Sequence, residues 1–314
     1  MHCDIFNGDA DGICALHQLR LAFPRQGTLV TGVKRDIRLL AKVDAAESAT
    51  VLDISLDSNR HDLNRLLEQG TKIEYFDHHF HGEIPLATNL TAHIDTNPQL
   101  CTSLIVDRTL NAAYRVWAVV AAFGDNLQEA AIEAARPLNL PPKQLDLLKQ
   151  LGEAINYNAY GETEADLFYP PAALYRMLSE YEDPFDFIEH EDVLRILKEG
   201  YAADVERVRY LKPDFDNGQC VLYVLPNDAS SRRISGMFAN LLAQDNRDRA
   251  LAILTPRQDA NYLVSVRAPA SKPYADTVCL EFPSGGGRKI AAGINCLTQA
   301  DVTRFTTRFQ EIFC

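Results

Sequence analysis

The sequence predicts an α/β protein with a mostly parallel N-terminal sheet, flanking helices, a linker helix and a smaller C-terminal α/β domain. Three observations carry this. Short apolar runs alternate with helically spaced segments through the first half, the pattern of βαβ units. The 314 residues exceed one ordinary core and suit two domains. The pattern changes after Lys212, where strands and one helix resume behind a charged helical stretch. The expected division is a domain over 1–188, a linker helix over 189–212 and a second domain over 213–314.

The elements follow in order. His2 to Phe6 reads as a strand, and Gly12 to Ala22 carries helical spacing at Ile13, Leu16 and Leu19. Thr28 to Val33 and Ala49 to Ile54 are strand-like. Asn59 to Gln69 is an amphipathic helix, with Gly70 suited to its C-terminal cap. Lys72 to Phe76 is a further strand. Ser103 to Phe123 reads as one long apolar helix. Ala130 to Glu180 stays helical between prolines, and His190 to Leu211 is a charged linking helix. Strands are expected at Gln219–Leu225, Arg249–Leu254 and Asn261–Val266. A helix is expected at Ser231–Gln244, capped by Ser230 or Ser231.

Hydrophobic residues make up 46% and charged residues 24%, an ordinary globular balance. No run approaches the ~20 apolar residues of a membrane span. The start Met1-His2-Cys3-Asp4 lacks a basic, apolar leader pattern, so a cytoplasmic protein with no membrane partner is expected. Seven widely spaced cysteines without a Cys-x-x-Cys point to reduced, buried thiols rather than a disulfide framework. The net charge of −12 disfavours long nucleic acid. A short phosphate-bearing ligand remains compatible if metals and local arginines reverse the sign in a cleft.

Parallel sheets gather functional groups at the carboxyl ends of their strands. Four acidic spots fall there or at a helix end. Asn7-Gly8-Asp9-Ala10-Asp11-Gly12 follows the first strand and reads equally as an acidic helix cap. Asp53 ends an apolar strand, a costly position unless the carboxylate is hydrogen-bonded or bound to metal. Asp77-His78-His79 ends the strand before it with divalent-metal ligand types. Gly124-Asp125 closes an apolar helix and alone signals little. A fifth spot combines Gly285-Gly286-Gly287 and Arg288 with Arg267, where a glycine-rich turn and arginines suit phosphate.

Together these residues resemble the DHH phosphoesterase family. Asn7 to Gly12 is similar to its first motif, Asp53 to its second, Asp77-His78-His79 to its third and Gly124-Asp125 to its fourth. Asn97-Pro98 with Leu100-Cys101-Thr102-Ser103 resembles the segment between the third and fourth motifs in RecJ-type members. Gly285 to Gly293 resembles the signature of the DHH-associated C-terminal domain. The resemblance implies a hydrolase with two Mn²⁺ ions, Mg²⁺ being an alternative, and short nucleotide substrates. It implies Asp9, Asp11, Asp53, His78 and Asp125 as metal ligands, with Asp53 bridging. His79 is expected at the scissile phosphate, with Asp77 orienting a histidine. Arg267, Gly286, Gly287 and Arg288 are the expected substrate contacts, and a homodimer is compatible. Two positions depart from the family pattern. Ile5 stands where many relatives place a histidine, so one metal position is expected to be weaker or completed by Asn7. Arg288 stands in place of the last residue of Gly-Gly-Gly-His.

Overall fold

A computed structural model describes all residues from Met1 to Cys314. The chain divides into two compact units, Met1–Glu199 and Gly200–Cys314.

The first unit opens with β1 (His2–Phe6), α1 (Ala10–Ala22), β2 (Thr28–Val30), β3 (Ser48–Leu52), α2 (Arg60–Glu68), β4 (Lys72–Asp77) and β5 (Leu90–Ile94). The strands form one parallel sheet in the order β2-β1-β3-β4-β5. Helices α3 (Thr102–Thr109), α4 (Arg115–Gly124), α5 (Gln128–Ala135), α6 (Pro142–Asn158), α7 (Pro171–Leu178) and α8 (Pro184–His190) follow, and α9 (Val193–Arg209) runs across the unit boundary.

Strand alternation splits the apolar residues between the two sheet faces. Phe6, Leu52 and Phe76 join one core with α1, α3, α4 and α6. Cys3, Ile5, Val51, Ile73 and Tyr75 join the other, with Leu63 and Leu66 of α2. The first helix is buried nearly all round, as a helix sandwiched between sheet and other helices must be. Gly70 ends α2 at a φ of 85°, the left-handed cap anticipated for it.

The structure differs from the sequence expectation at several elements. Ser103 to Phe123 is two helices, broken where Asn111 and Ala112 take φ of 51° and 64°. The edge strand β5 was not anticipated, because Leu90-Thr91-Ala92-His93-Ile94 is only weakly apolar. The charged stretch His190–Leu211 carries α9, which begins at Val193 and follows directly on α8.

The second unit contains β6 (Phe215–Asp216), β7 (Cys220–Val224), α10 (Ala229–Asp245), β8 (Ala250–Pro256), β9 (Tyr262–Arg267), α11 (Ala275–Cys279), β10 (Gly285–Arg288), β11 (Ala291–Leu297) and α12 (Val302–Phe313). Its mixed sheet runs β10-β11-β9-β8-β7-β6. Asp228, not Ser230 or Ser231, caps α10 through the Ser231 N–H. Phe305, Phe309 and Phe313 form the buried stripe of α12. The cysteine expectation is corrected at one pair: Cys220 and Cys314 form a disulfide that ties the last residue to β7. The other five cysteines are free, and all but Cys296 are buried.

One buried group in α1 gives a pH prediction. His17 packs edge-on to Trp117 at 4.7 Å and bonds Tyr181 O through Nε2, leaving Nδ1 buried without a partner. Burial pulls its pKa from 6.5 down to about 4, against a smaller upward pull from the Tyr181 carbonyl. The unfolded chain therefore binds a proton at pH values where the folded chain does not. Stability from this residue is present above pH 6.5 and is lost as pH falls towards 4, by up to ~3 kcal/mol. Denaturant midpoints of wild type and His17→Gln should diverge with pH over this window, wild type losing more. Parallel pH profiles would contradict it.

Candidate metal centre

The sheet order places a topological switch at β1, whose neighbours β2 and β3 lie on opposite sides. The crevice at the carboxyl ends of such strands is the usual ligand position in open α/β sheets. Asp9 and Asp11 follow β1, Asp53 follows β3, and Asp77-His78-His79 closes β4. The four motifs thus meet at one end of one sheet, with Asp125 arriving from the C-terminus of α4.

Asp9 is the N-cap of α1. Its Oδ1 accepts the N–H groups of Asp11 and Gly12 at 3.0 and 3.1 Å. The cap and ligand alternatives for this residue are not exclusive in geometry, because Oδ2 remains. That oxygen meets Lys34 Nζ at 2.5 Å. Asp11 is fixed from the far side. Its oxygens accept the N–H groups of Thr102 and Ser103, both at 2.7 Å, at the start of α3. The segment Leu100–Ser103 thus anchors Asp11, using helix N-terminal donors that need partners.

Asp53 is 2% exposed and has a φ of 59°. A non-glycine residue there is uncommon, although aspartate and asparagine tolerate it best. Such backbone strain concentrates at functional sites. Its Oδ1 accepts the Thr102 hydroxyl at 3.2 Å and lies 3.4 Å from His78 Nε2. His78 donates Nδ1–H to Leu100 O at 2.9 Å, which leaves Nε2 as its free lone pair. Asp77 is fully buried and holds His79 Nδ1 at 2.7 Å, while the His79 side chain is 43% exposed. Asp77 therefore orients His79, not His78.

Asp125 completes the ring. Its Oδ2 is 3.9 Å from His78 Nε2 and its Oδ1 is 3.5 Å from Lys34 Nζ. Lys34 also donates to Asn156 Oδ1 at 2.9 Å, from α6. Ile5 is wholly buried in the apolar core below and contributes no ligand atom. Asn7 donates Nδ2 to the Lys34 carbonyl at 3.4 Å, and its Oδ1 is buried without a partner.

The electrostatics follow from crowding. Burial first, then the charges of Asp11, Asp9, Asp125 and Asp77, push Asp53 well above the ordinary carboxylate range. Burial with Asp11 and Asp9 raises Asp125 to about 6, against Lys34 and His78. Burial acts to raise Asp9, but Lys34, with the Gly12 N–H and Asp53, holds it below its usual value. Burial acts to lower His79, and the Asp77 bond and charge raise it on balance. Burial likewise acts to lower Lys34, yet Asp9 and Asp125 keep it above its ordinary value, so it is an ammonium.

This excess of buried carboxylate fits a cation. Two donor sets lie close enough to hold one: Asp11, His78 and Asp125, and Asp53, His78 and His79. Donors on an octahedral ion with bonds near 2.1 Å sit about 3 Å apart, close to the present His78 separations. Both sets use His78, and its imidazole offers a single free nitrogen.

In the second unit, the glycine run is not a turn but an edge strand. Gly286 pairs with Gly293, Gly287 with Ala292 and Arg288 with Ala291. Ala291 in turn pairs with Arg267 across β11. Arg288 and Arg267 therefore share one cross-strand row, about 10 Å apart at the backbone. Arg288 is exposed, whereas Arg267 is engaged by Asn240 Oδ1 at 2.9 Å and by the Val266 carbonyl.

Sequence reasoning missed Lys34 and Asn156. Lys34 sits in Val33-Lys34-Arg35-Asp36, which reads as an ordinary charged loop. Asn156 is one polar residue on a long helix. Neither carries a local signal; the fold brings them to the carboxylates.

No family model and no curated protein sequence matches the chain. Solved structures do. Exonuclease RecJ bound to manganese matches with a TM-score of 0.66 at 16% identity, over 99% of this chain and 89% of that one. RecJ from Thermus thermophilus in complex with Mn²⁺ matches at 0.60 and 15%, over 99% and 51%. The pGpG-specific phosphodiesterase PggH from Vibrio cholerae matches at 0.53 and 12%, over 99% of both chains. These likenesses span the full chain and establish the shared fold.

Proposed function

We propose that this chain, which has the DHH-type phosphoesterase fold, is a manganese-dependent phosphodiesterase that cleaves short nucleotides, a linear dinucleotide foremost. The observation that carries the reading is the convergence of Asp11, Asp53, His78 and Asp125 at the switch point of the first sheet. The strain at Asp53 favours a working site over a decayed one. The full-length match to PggH, named for action on pGpG, favours a dinucleotide. The acidic net charge also favours short substrates over long DNA. No helix of the chain is long and apolar enough to cross a membrane.

In this reading Asp11, Asp53, His78 and Asp125 hold the metal, with Mg²⁺ as the alternative ion. The chemistry such an ion supplies is activation of water and neutralisation of phosphate charge. The residues around it do the rest. The Thr102 and Ser103 amides fix Asp11, and Leu100 O fixes the His78 tautomer. Asp77 accepts the His79 Nδ1–H, so the protonated imidazolium presents Nε2–H to a phosphate oxygen. Arg288, Arg267, Gly286 and Gly287 are the proposed grip on a terminal phosphate, Arg288 being the exposed member. Arg288→Ala should raise KM about 10-fold or more with kcat little changed, the mark of lost uniform binding. An equal loss in kcat with KM unchanged would remove the residue from substrate binding.

The substrate test is a Mn²⁺ turnover panel of linear dinucleotides, cyclic dinucleotides, 3′-phosphoadenosine 5′-phosphate and polyphosphate. Fastest turnover of a linear dinucleotide is expected. Preference for any other member would move the assignment to that substrate. Metal binding without turnover of any would favour a nucleotide-binding module.

A further inference from the structure

We infer that the Lys34 ammonium is a resident cation that stands in place of a second metal ion, so that the centre loads one divalent ion per chain. The inference rests on the metal-centre reading above and deepens it. Lys34 Nζ lies 2.5 Å from Asp9 Oδ2, 2.9 Å from Asn156 Oδ1 and 3.5 Å from Asp125 Oδ1. Three oxygens around one positive nitrogen resemble the coordination shell of a cation.

The lysine is built in rather than passing by. Its N–H donates to Ala159 O at 2.9 Å, and its carbonyl accepts Asn7 Nδ2 at 3.4 Å. Both backbone groups are therefore tied, one to the end of α6 and one to the loop before α1. Its side chain is 26% exposed.

The carboxylate it holds, Asp9, belongs to neither donor set. Asp9 Oδ1 is committed to capping α1, and Oδ2 to the ammonium. Position 5, on the strand that leads to Asp9, is a buried isoleucine, which offers no lone pair. His78 has a single free nitrogen, and both donor sets draw on it. What remains fits one ion, with Lys34 beside it. An ammonium supplies positive charge beside a phosphate, but cannot activate water. The division of labour is then one ion for the nucleophile and Lys34 for charge on the phosphate.

The test is metal counting on the full chain. Metal-free protein is saturated with Mn²⁺, freed of excess by gel filtration, and analysed by elemental analysis and electron paramagnetic resonance. The expected result is one Mn²⁺ per chain with the spectrum of an isolated ion. Two ions per chain with a spin-coupled spectrum would overturn the inference while leaving the metal centre intact. No bound Mn²⁺ would overturn the metal-centre reading itself. Lys34→Met, close in shape and uncharged, should admit a second ion, whereas Lys34→Arg should stay at one. A folded Lys34→Met that also stays at one would show that the lysine is not what excludes the second ion.

Discussion

Asp53→Asn is expected to lose Mn²⁺-dependent turnover by about 10³-fold or more, equivalent to ~4 kcal/mol of barrier, while the metal-free protein melts at or above the wild-type temperature. The two effects have one cause. Burial first, then the charges of Asp11, Asp9 and Asp125, drive the Asp53 pKa up. Removing its charge relieves that crowding in the metal-free fold. Asparagine keeps the shape and tolerates the left-handed φ of 59° better than alanine, so the backbone is not the variable. The Thr102 hydroxyl can still donate to the amide oxygen. What is lost is a carboxylate within 3.4 Å of His78 Nε2. Residues whose removal stabilises a fold while ending activity are those placed there for function. Retention of full activity would remove Asp53 from the centre. A large loss of stability would make its role structural.

Gly152→Ala is expected to cost about 3 kcal/mol or more, through overpacking with no room to relax. A Cβ at Gly152 would lie 2.0 Å from Val120 O and 2.9 Å from Gly124 N. Gly124 is as tight, with a Cβ there 2.5 Å from the Ala10 Cβ and 2.7 Å from Gly152 O. Helices α4 and α6 thus touch backbone to backbone at these two glycines, and α1 meets Gly124 through the Ala10 methyl. Asp125 is the next residue after Gly124, Asp9 the one before Ala10, and Asn156 lies one turn beyond Gly152. The contact that packs the helices therefore also sets the spacing of Asp9, Asp125 and the Lys34 partner. A thermal scan of the first unit should shift down by roughly 6–12 °C, and Mn²⁺ affinity should fall with it. Unchanged melting would mean that the helices separate freely at this point.

The strand-end carboxylates were legible because buried charge is costly and so informative. Asp53 after Val51-Leu52 and Asp77 after Tyr75-Phe76 could be picked out from that expense alone. The alternation of strand and helix gave the parallel sheet, and hence the end at which the motifs meet. The rest depended on contacts distant in sequence. Nothing near Lys34 announces that it will reach Asp9 and Asn156. Nothing near Thr102 says that its N–H will face Asp11, though the short segment around it resembled a family feature. The break between α3 and α4 depends on Asn111 and Ala112 entering positive φ, which apolar periodicity does not encode. The glycine run was read as a turn because glycine favours turns, yet pairing with β11 makes it a strand. The last helix carried an apolar stripe at Phe305, Phe309 and Phe313 that periodicity could have found. The Cys220–Cys314 pair could not be found, since odd cysteine counts with wide spacing favour no pairing.

The central claim is that the crevice at Asp11, Asp53, His78 and Asp125 is a metal-dependent phosphodiesterase site. The most direct measurement is chromatographic product analysis of a 5′-phosphorylated linear dinucleotide incubated with metal-free protein, with and without added Mn²⁺. Nucleoside monophosphates are expected only when Mn²⁺ is present, suppressed by chelator and absent in Asp53→Asn. Equal product formation without metal, or intact dinucleotide despite a bound Mn²⁺ ion, would contradict it.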